Sequence, residues 1–319
     1  MTPKERAIAA LECRQPDDIV PTFELVYFLG PEKFGRDWTE NINDMTGKEK
    51  DRALREHAEL HVMIAEEYDY SILRTDYVEA IKLFKEWGLD KKYLIAGEAD
   101  GTMGIPTGSN MVDVAVALRE RPEEMHEKLR KGADWGKRRG LEAIEAGAEA
   151  LTMCADYCFN VGPFLSPPMF REFVTPYLAE VIASHRENGA YVIKHTDGNI
   201  MPILDQLVEA NPHALHSIDP QAGVSLKEVK RLVGDRVCLC GNVNCGLLQT
   251  GTDEEVHEDI LRSLRDGMPG GGYIFATSNC AFKGLPLERY EMMMEMRRKY
   301  GRYDVSEACR LKPRSPDSN

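Results

Sequence analysis

Nowhere in the 319-residue chain is there an apolar run of the roughly 20 residues that a membrane-crossing helix needs. The opening Met1-Thr-Pro-Lys-Glu-Arg has no apolar stretch of the kind that directs secretion, so a cytoplasmic protein is expected. Positive charge is in short supply. Forty Lys and Arg against 53 Asp and Glu leave a net charge of −13, which does not suit gripping nucleic acid or an anionic membrane. No Cys-x-x-Cys pair occurs, which excludes a zinc ribbon. No Gly-x-Gly-x-x-Gly follows the first strand candidate, which argues against dinucleotide binding. Eight cysteines without a secretory leader fit a reducing compartment, as thiols or metal ligands rather than disulfides.

What is present is an alternating pattern, in a composition (43% hydrophobic, 29% charged) that suits a compact enzyme. Thr2-Pro3-Lys4-Glu5 reads as a capping box that opens a helix to about Glu12. Residues 18–25 read as a first strand with Glu24 near its end. Thr46 to Glu49 reads as a second box, opening a helix to about Glu67 with His57 and His61 on a solvated face. Further strands are expected at 70–74, 93–97, 149–154, 191–193, 214–219, 236–242 and 272–276. Helices are expected at 110–119, 122–146, 166–188, 201–210, 225 onward, 252–265 and 287–300, with a frayed polar tail at 313–319. Gly270 to Gly272 reads as a turn on the amino side of the last strand. Eight strands, nearly all followed by helical stretches, predict a (β/α)8 TIM barrel, with an open doubly wound sheet as the alternative. The expectation is one domain over residues 1–319 with an N-terminal helical extension.

In such a barrel the chemistry sits at the carboxyl ends of the strands. Those ends present Glu24, Asp156, His195 with Asp197, Asp219, Cys240 and Cys280. The run Tyr191-Val-Ile-Lys-His195-Thr-Asp197-Gly-Asn199 stands out: a buried strand that ends at once in metal-capable groups. A capped turn is the plainer reading of the same residues. Cys240 and Cys280, expected at neighbouring strand ends, make a zinc set with one or two N/O donors. Either cysteine also suits a small buried hydrophobe. Cys154, Cys158, Cys238 and Cys245 form a rival set with Cys240.

Taken in order, residues 2–21, Ser166-Pro167 with Pro176 downstream, His195-Thr-Asp-Gly-Asn199, Ser217-Ile-Asp219 and Gly241-Asn242-Val243 resemble the uroporphyrinogen decarboxylase superfamily. That superfamily includes cobamide-dependent methyltransferases, and the resemblance implies a (β/α)8 barrel. Its true decarboxylases carry an arginine-rich first-strand segment that grips tetrapyrrole carboxylates. Here the segment reads Pro21-Thr-Phe-Glu-Leu-Val-Tyr-Phe-Leu29, without arginine, and Glu24 would repel an eight-carboxylate substrate. The methyltransferase branch binds zinc through His-x-Cys and a distant Cys. His195 and Cys280 match two of those positions, and Asp197 replaces the third.

The chain looks more like the branch that cleaves aryl methyl ethers and passes the methyl group to Co(I). The cobalamin is carried by a corrinoid protein, with Zn2+ as Lewis acid. The resemblance implies Asp219, Cys240, Cys280 and His195 as metal ligands. It implies Glu24, Asp156, Tyr157 and His195 as catalytic groups, and Asn199 and Asn242 as cofactor-binding. Phe23, Tyr27, Tyr157 and Phe159 are candidates to hold an aromatic ring. Two alternatives remain: a methylated corrinoid donating to a thiol or folate, and a non-catalytic barrel that docks the corrinoid protein.

Overall fold

The computed structural model describes residues 1–303, so the expected tail at 313–319 lies outside the described residues. Seven parallel strands form one sheet: β1 (Ile72–Arg74), β2 (Leu94–Glu98), β3 (Ala150–Met153), β6 (Tyr191–His195), β7 (Ala214–His216), β8 (Cys238–Val243) and β9 (Tyr273–Thr277). They pair in that order. Two very short antiparallel strands, β4 (Cys158–Phe159) and β5 (Gly162–Pro163), make a hairpin after β3. Helices follow the parallel strands and cover them. Every residue of β3, β8 and β9 is therefore buried, as expected for strands packed on both faces. Among the described residues no helix is long and apolar enough to cross a membrane.

The expected first strand is replaced by an irregular segment. Ile19, Thr22 and Tyr27 make isolated bridges only, and Pro21 has no N–H to donate to a ladder. This segment lies between the two edges of the curled sheet. Phe275 N–H donates to Pro21 O (2.9 Å), and Ser71 N–H donates to Thr22 O (2.7 Å). Glu24 is thereby carried to the carboxyl end of β9, where Thr277 N–H and Oγ1–H donate to its carboxyl group.

The amino ends of the strands are covered by the helix Pro3–Leu11, whose capping box forms as expected. Lys4 N–H donates to Lys92 O just before β2, and Gly272 N–H donates to Arg14 O just before β9. The turn at Gly270–Gly272 therefore lies on the amino side, as expected. Three local expectations differ. Thr46 precedes the helix Gly47–Tyr68 without a side-chain cap bond. The helix expected at 166–188 breaks into Pro167–Phe173 and Thr175–Glu187, because Pro176 has no N–H for the turn before it. The β4–β5 hairpin was not expected, since two-residue strands carry no periodicity.

Candidate active site

β6 alternates its side chains across the sheet, so Lys194 and His195 leave it on opposite faces. His195 is 4% exposed. Its Nε2 lies 3.4 Å from Asp156 Oδ1 and 3.7 Å from Asp197 Oδ1. Its Nδ1 lies 2.8 Å from Nδ1 of His216, its partner in the register of β7, so one ring donates and the other accepts. Burial, then Lys194, hold the His195 pKa down at about 3, and the ring is neutral at neutral pH. Asp156 stands in the loop after β3 with its side chain 45% exposed, so the cluster opens outward. Asp197 N–H donates to Asp156 Oδ1 (3.0 Å). Burial, then the Asp156 charge, push the Asp197 carboxyl up to about 7. Asn279 Nδ2 donates to Asp197 Oδ2; the Ser217 hydroxyl stands near enough to the carboxyl to moderate its rise, but Asp197 Oδ1 and Ser217 Oγ are both buried without a hydrogen bond of normal geometry.

These residues fit a divalent ion of the zinc class. Donor atoms of Asp156, His195 and Asp197 lie within 4.8 Å of one another, the one such convergence of three among the described residues. Ligands at about 2.0–2.1 Å in a tetrahedron stand roughly 3.3 Å apart, close to the spacings about His195 Nε2. A cation would also neutralise two crowded carboxylates and give Asp197 Oδ1 the partner it lacks. In that reading His195 Nδ1–H donates to His216, which orients the imidazole, as Asn279 orients Asp197. The His216 proton then sits on Nε2, which is buried without a partner.

The other expected residues are distributed as follows. Asp219 Oδ1 accepts from Gln221 N–H (2.9 Å) and Oδ2 from Gly198 N–H (3.3 Å), so it ties down the turn after Asp197. Cys240 is a correction in position. It was expected at the exit of its strand, but β8 runs on to Val243 and leaves Cys240 buried three residues before the end. It pairs in register with His216, and it lies close enough to Cys238 to help raise that thiol's pKa. Cys280 is half-buried beyond β9. Burial, then the charge of Glu24, push its thiol up to about 12, with Asp197 adding to the effect. Neither cysteine nor Asp219 joins the converging group, and the rival cysteines are free thiols.

Asn199 Oδ1 accepts from Met201 N–H (3.1 Å). Asn242 is fully buried, with its amide held by Ile218 O, Arg262 and Ser263. Tyr157 is buried with its hydroxyl 2.6 Å from Thr102 Oγ1. Glu24 is buried, accepts from Thr277 and Tyr290, and is pushed up to about 8 by burial, so its carboxyl carries a proton at neutral pH.

Glu24 lines a cavity of about 250 Å³ with Tyr27, Trp38, His57, His61, Arg74 and Tyr77. His57 and His61 are thus a second correction. They do not form a solvated face. Their rings lie 4.9 and 4.6 Å from Trp38, whose Nε1–H is fixed to Tyr27 O (2.6 Å). The two Nε2 atoms are 3.0 Å apart, and burial lowers both pKa values, that of His57 to about 4. Arg74 is paired with Asp76 at 2.6 Å. At neutral pH the cavity wall therefore has no net charge. Of the other ring candidates, Phe23 is buried against His216 and Phe159 is 41% exposed on the hairpin. A larger cavity, about 610 Å³, lies against the helices Met111–Glu120 and Pro122–Ala146, and none of the three candidate ligands lines either cavity.

The family model for uroporphyrinogen decarboxylase (URO-D) matches residues 77–300. The chain belongs to the uroporphyrinogen decarboxylase family. Curated relatives are distant. The uroporphyrinogen decarboxylase of Pseudoalteromonas translucida is 27% identical over 161 residues, 48% of this chain and 42% of that one. The one from Methylobacillus flagellatus is 24% identical over 268 residues, 78% of this chain and 70% of that one. The chain thus spans less than half the length of the first of these relatives. Among solved structures, a methyltransferase from Methanosarcina mazei superposes with a TM-score of 0.74 over 94% of this chain and 99% of that one. At 18% identity this likeness speaks for a shared fold. Membership of the family makes the chain a member of an enzyme family. The sequence pairs His195 with Asp197 in one motif and names Asp156 separately, without joining it to them. Sequence reasoning missed His216, Asn279, Lys194, Asp100 and Trp38. The one local signal was a lysine inside an otherwise apolar strand.

Proposed function

We propose that the chain is a methyltransferase that takes the methyl group of a methoxylated single ring and gives it to Co(I) of a corrinoid on a separate protein. We read the curled sheet, with residues 21–24 between its edges, as a closed (β/α)8 barrel forming one domain. The observation that carries the functional reading is the Asp156–His195–Asp197 cluster, open outward on the same carboxyl side of the sheet as an uncharged, aromatic-walled cavity. Asp156, His195 and Asp197 would hold zinc, which supplies Lewis acidity toward an ether oxygen when bound. A nitrogen and oxygen donor set leaves the ion more electrophilic than thiolates would, which favours an ether over thiol activation.

The chain's own residues supply the rest. Trp38, Tyr77, His57 and His61 stack about the ring, and their neutrality suits an uncharged ligand. Protonated Glu24 faces the same cavity and donates to the leaving oxygen. The C–O bonding pair stays on oxygen, the new bond uses the electron pair of Co(I), and the proton comes from Glu24. The cavity lies below the roughly 300–1,000 Å³ usual for ligand pockets. That size suits one ring rather than a tetrapyrrole. With Glu24 where the decarboxylases carry arginines, it argues against uroporphyrinogen as substrate.

The test begins with metal analysis of protein purified without chelator, where about one zinc per chain is expected. Methoxylated aromatics are then offered with a reduced corrinoid protein, and methylated corrinoid is followed by absorbance. If none of them yields methylated corrinoid, while a thiol or a folate strips methyl from it, the direction is reversed.

A further inference from the structure

We infer that the buried Lys194–Asp100 pair is a positioning device that sets the Asp156 carboxylate against His195 and Asp197, and so sets the affinity for the ion. The inference rests on the metal reading above.

The geometry runs through one peptide. Lys194 Nζ donates to Asp100 Oδ2 (3.0 Å), to Ala155 O (2.8 Å) and to Met153 O (3.3 Å), which uses all three of its N–H bonds. Asp100 Oδ2 in turn accepts from Ala155 N–H (2.8 Å). Ala155 therefore has both of its backbone polar groups tied to the pair, and Asp156 is the next residue. On the far side, Tyr157 N–H donates to Thr196 Oγ1 (2.8 Å). Residues 194 and 196 thus hold residues 155 and 157, and Asp156 is bracketed to face His195 between them. The Lys194 ammonium also lies 4.3 Å from the centre of the Tyr157 ring.

The anchor is itself held rigidly. Asp100 Oδ1 accepts from Thr102 N–H (2.9 Å) and from the Thr102 hydroxyl. The helix Pro122–Ala146 presses on its backbone so closely that a Cβ at Gly136 would lie 1.7 Å from Asp100 O. The side chains of Lys194 and Asp100 are 0% and 9% exposed, so the pair meets no solvent of consequence. The half-exposed Asp156 has two hydrogen bonds of its own, Asp197 N–H to its Oδ1 (3.0 Å) and Ile105 N–H to its carbonyl (2.7 Å), and the buried pair fixes the peptide that precedes it. Outer groups that orient a ligand typically change metal affinity 10–100-fold.

A merely structural pair and a positioning pair make different predictions. Either single variant, K194M or D100L, strands a buried charge and lowers Tm. The double variant K194M/D100L removes both charges at similar volume, so its Tm recovers toward the wild type. It does not restore partners to Ala155. Zinc affinity is read by chelator competition, and site geometry by the visible spectrum of the Co2+-loaded protein. We expect the double variant to regain stability yet bind zinc 10–100-fold more weakly, with an altered Co2+ band, as D156N should. Wild-type zinc affinity and spectrum in the double variant would overturn the inference alone. A wild-type protein that takes up no zinc overturns the metal reading and this inference together. If K194M/D100L does not fold, K194M/D100N carries a graded version of the comparison: its single amide oxygen can accept from the Ala155 N–H or the Thr102 N–H but not both, and Ala155 O still loses its ammonium, so a smaller fall in zinc affinity with an altered Co2+ band is expected, and wild-type affinity and spectrum would overturn the inference.

Discussion

Two polar clusters leave β6 from adjacent residues, one on each face, and they are built in opposite ways. Around Lys194 every group is matched: the ammonium has three acceptors, and the Asp100 carboxylate has donors on both oxygens. Around His195 the account is incomplete. Two carboxylates crowd a neutral ring, and Asp197 Oδ1 and His216 Nε2 are buried without partners. A buried polar group left unpaired costs about 1–3 kcal/mol, so a fold retains one only where something else is served. The complete cluster reads as framework and the incomplete one as a place for a ligand.

The sharpest way to break that comparison is to remove one half of the complete cluster. Lys194→Met leaves Asp100 charged and buried, and should cost about 3–5 kcal/mol of stability by chemical denaturation. Asp156→Asn, on the incomplete side, should cost less than about 1 kcal/mol. If the two cost the same, framework and site have been assigned wrongly.

The next effect is on metal rather than stability. Asp197→Asn and His195→Ala should abolish stoichiometric zinc, measured by elemental analysis, with little change in the folded fraction. Cys240→Ala should retain the zinc. Loss of zinc in Cys240→Ala with retention in Asp197→Asn would return the ligand role to the cysteines.

A third test uses the pH dependence of stability. Glu24 has its pKa raised to about 8 by burial, against about 4.5 when exposed. Between those values the folded state holds a proton that the unfolded state releases. Stability is therefore fully present below about pH 4.5 and is lost as pH rises toward 8, at a slope on the order of 1 kcal/mol per pH unit. Glu24→Gln should flatten that slope in denaturation curves taken from pH 5 to 8. An unchanged slope would show that Glu24 is ionised, and would remove it as a proton donor.

The smallest effect belongs to Asp219, whose carboxyl oxygens accept from the N–H groups of Gln221 and Gly198. Asp219→Asn keeps an acceptor for one of them, so it should lose less than about 1 kcal/mol and no zinc. A large loss of zinc would enlarge the site to include it.

Much of the framework was legible. Seven of the eight expected strands form, the box at Thr2 closes, and a helix starts after Thr252 as expected, because periodicity and capping are local. The first strand failed where a local signal met a tertiary demand: residues 18–25 follow the gap between two sheet edges rather than a ladder. His57 and His61 were legible as a pair four apart. Their surroundings were not, because Trp38 comes from a separate loop.

The order of β and α units and the donor types offered after each strand were determined by the sequence alone, since both depend on neighbours a few residues apart. Tertiary structure decided which donors meet. Cys240 and His195 stand at the same level of the sheet, each in register with His216, yet two strand spacings, roughly 10 Å, keep them apart. Asp156 meets His195 because its loop is held by Lys194 and by Asp100, a pair separated by 94 positions in the chain. Convergence of that kind depends on register and loop path, and neither leaves a periodic mark in the sequence.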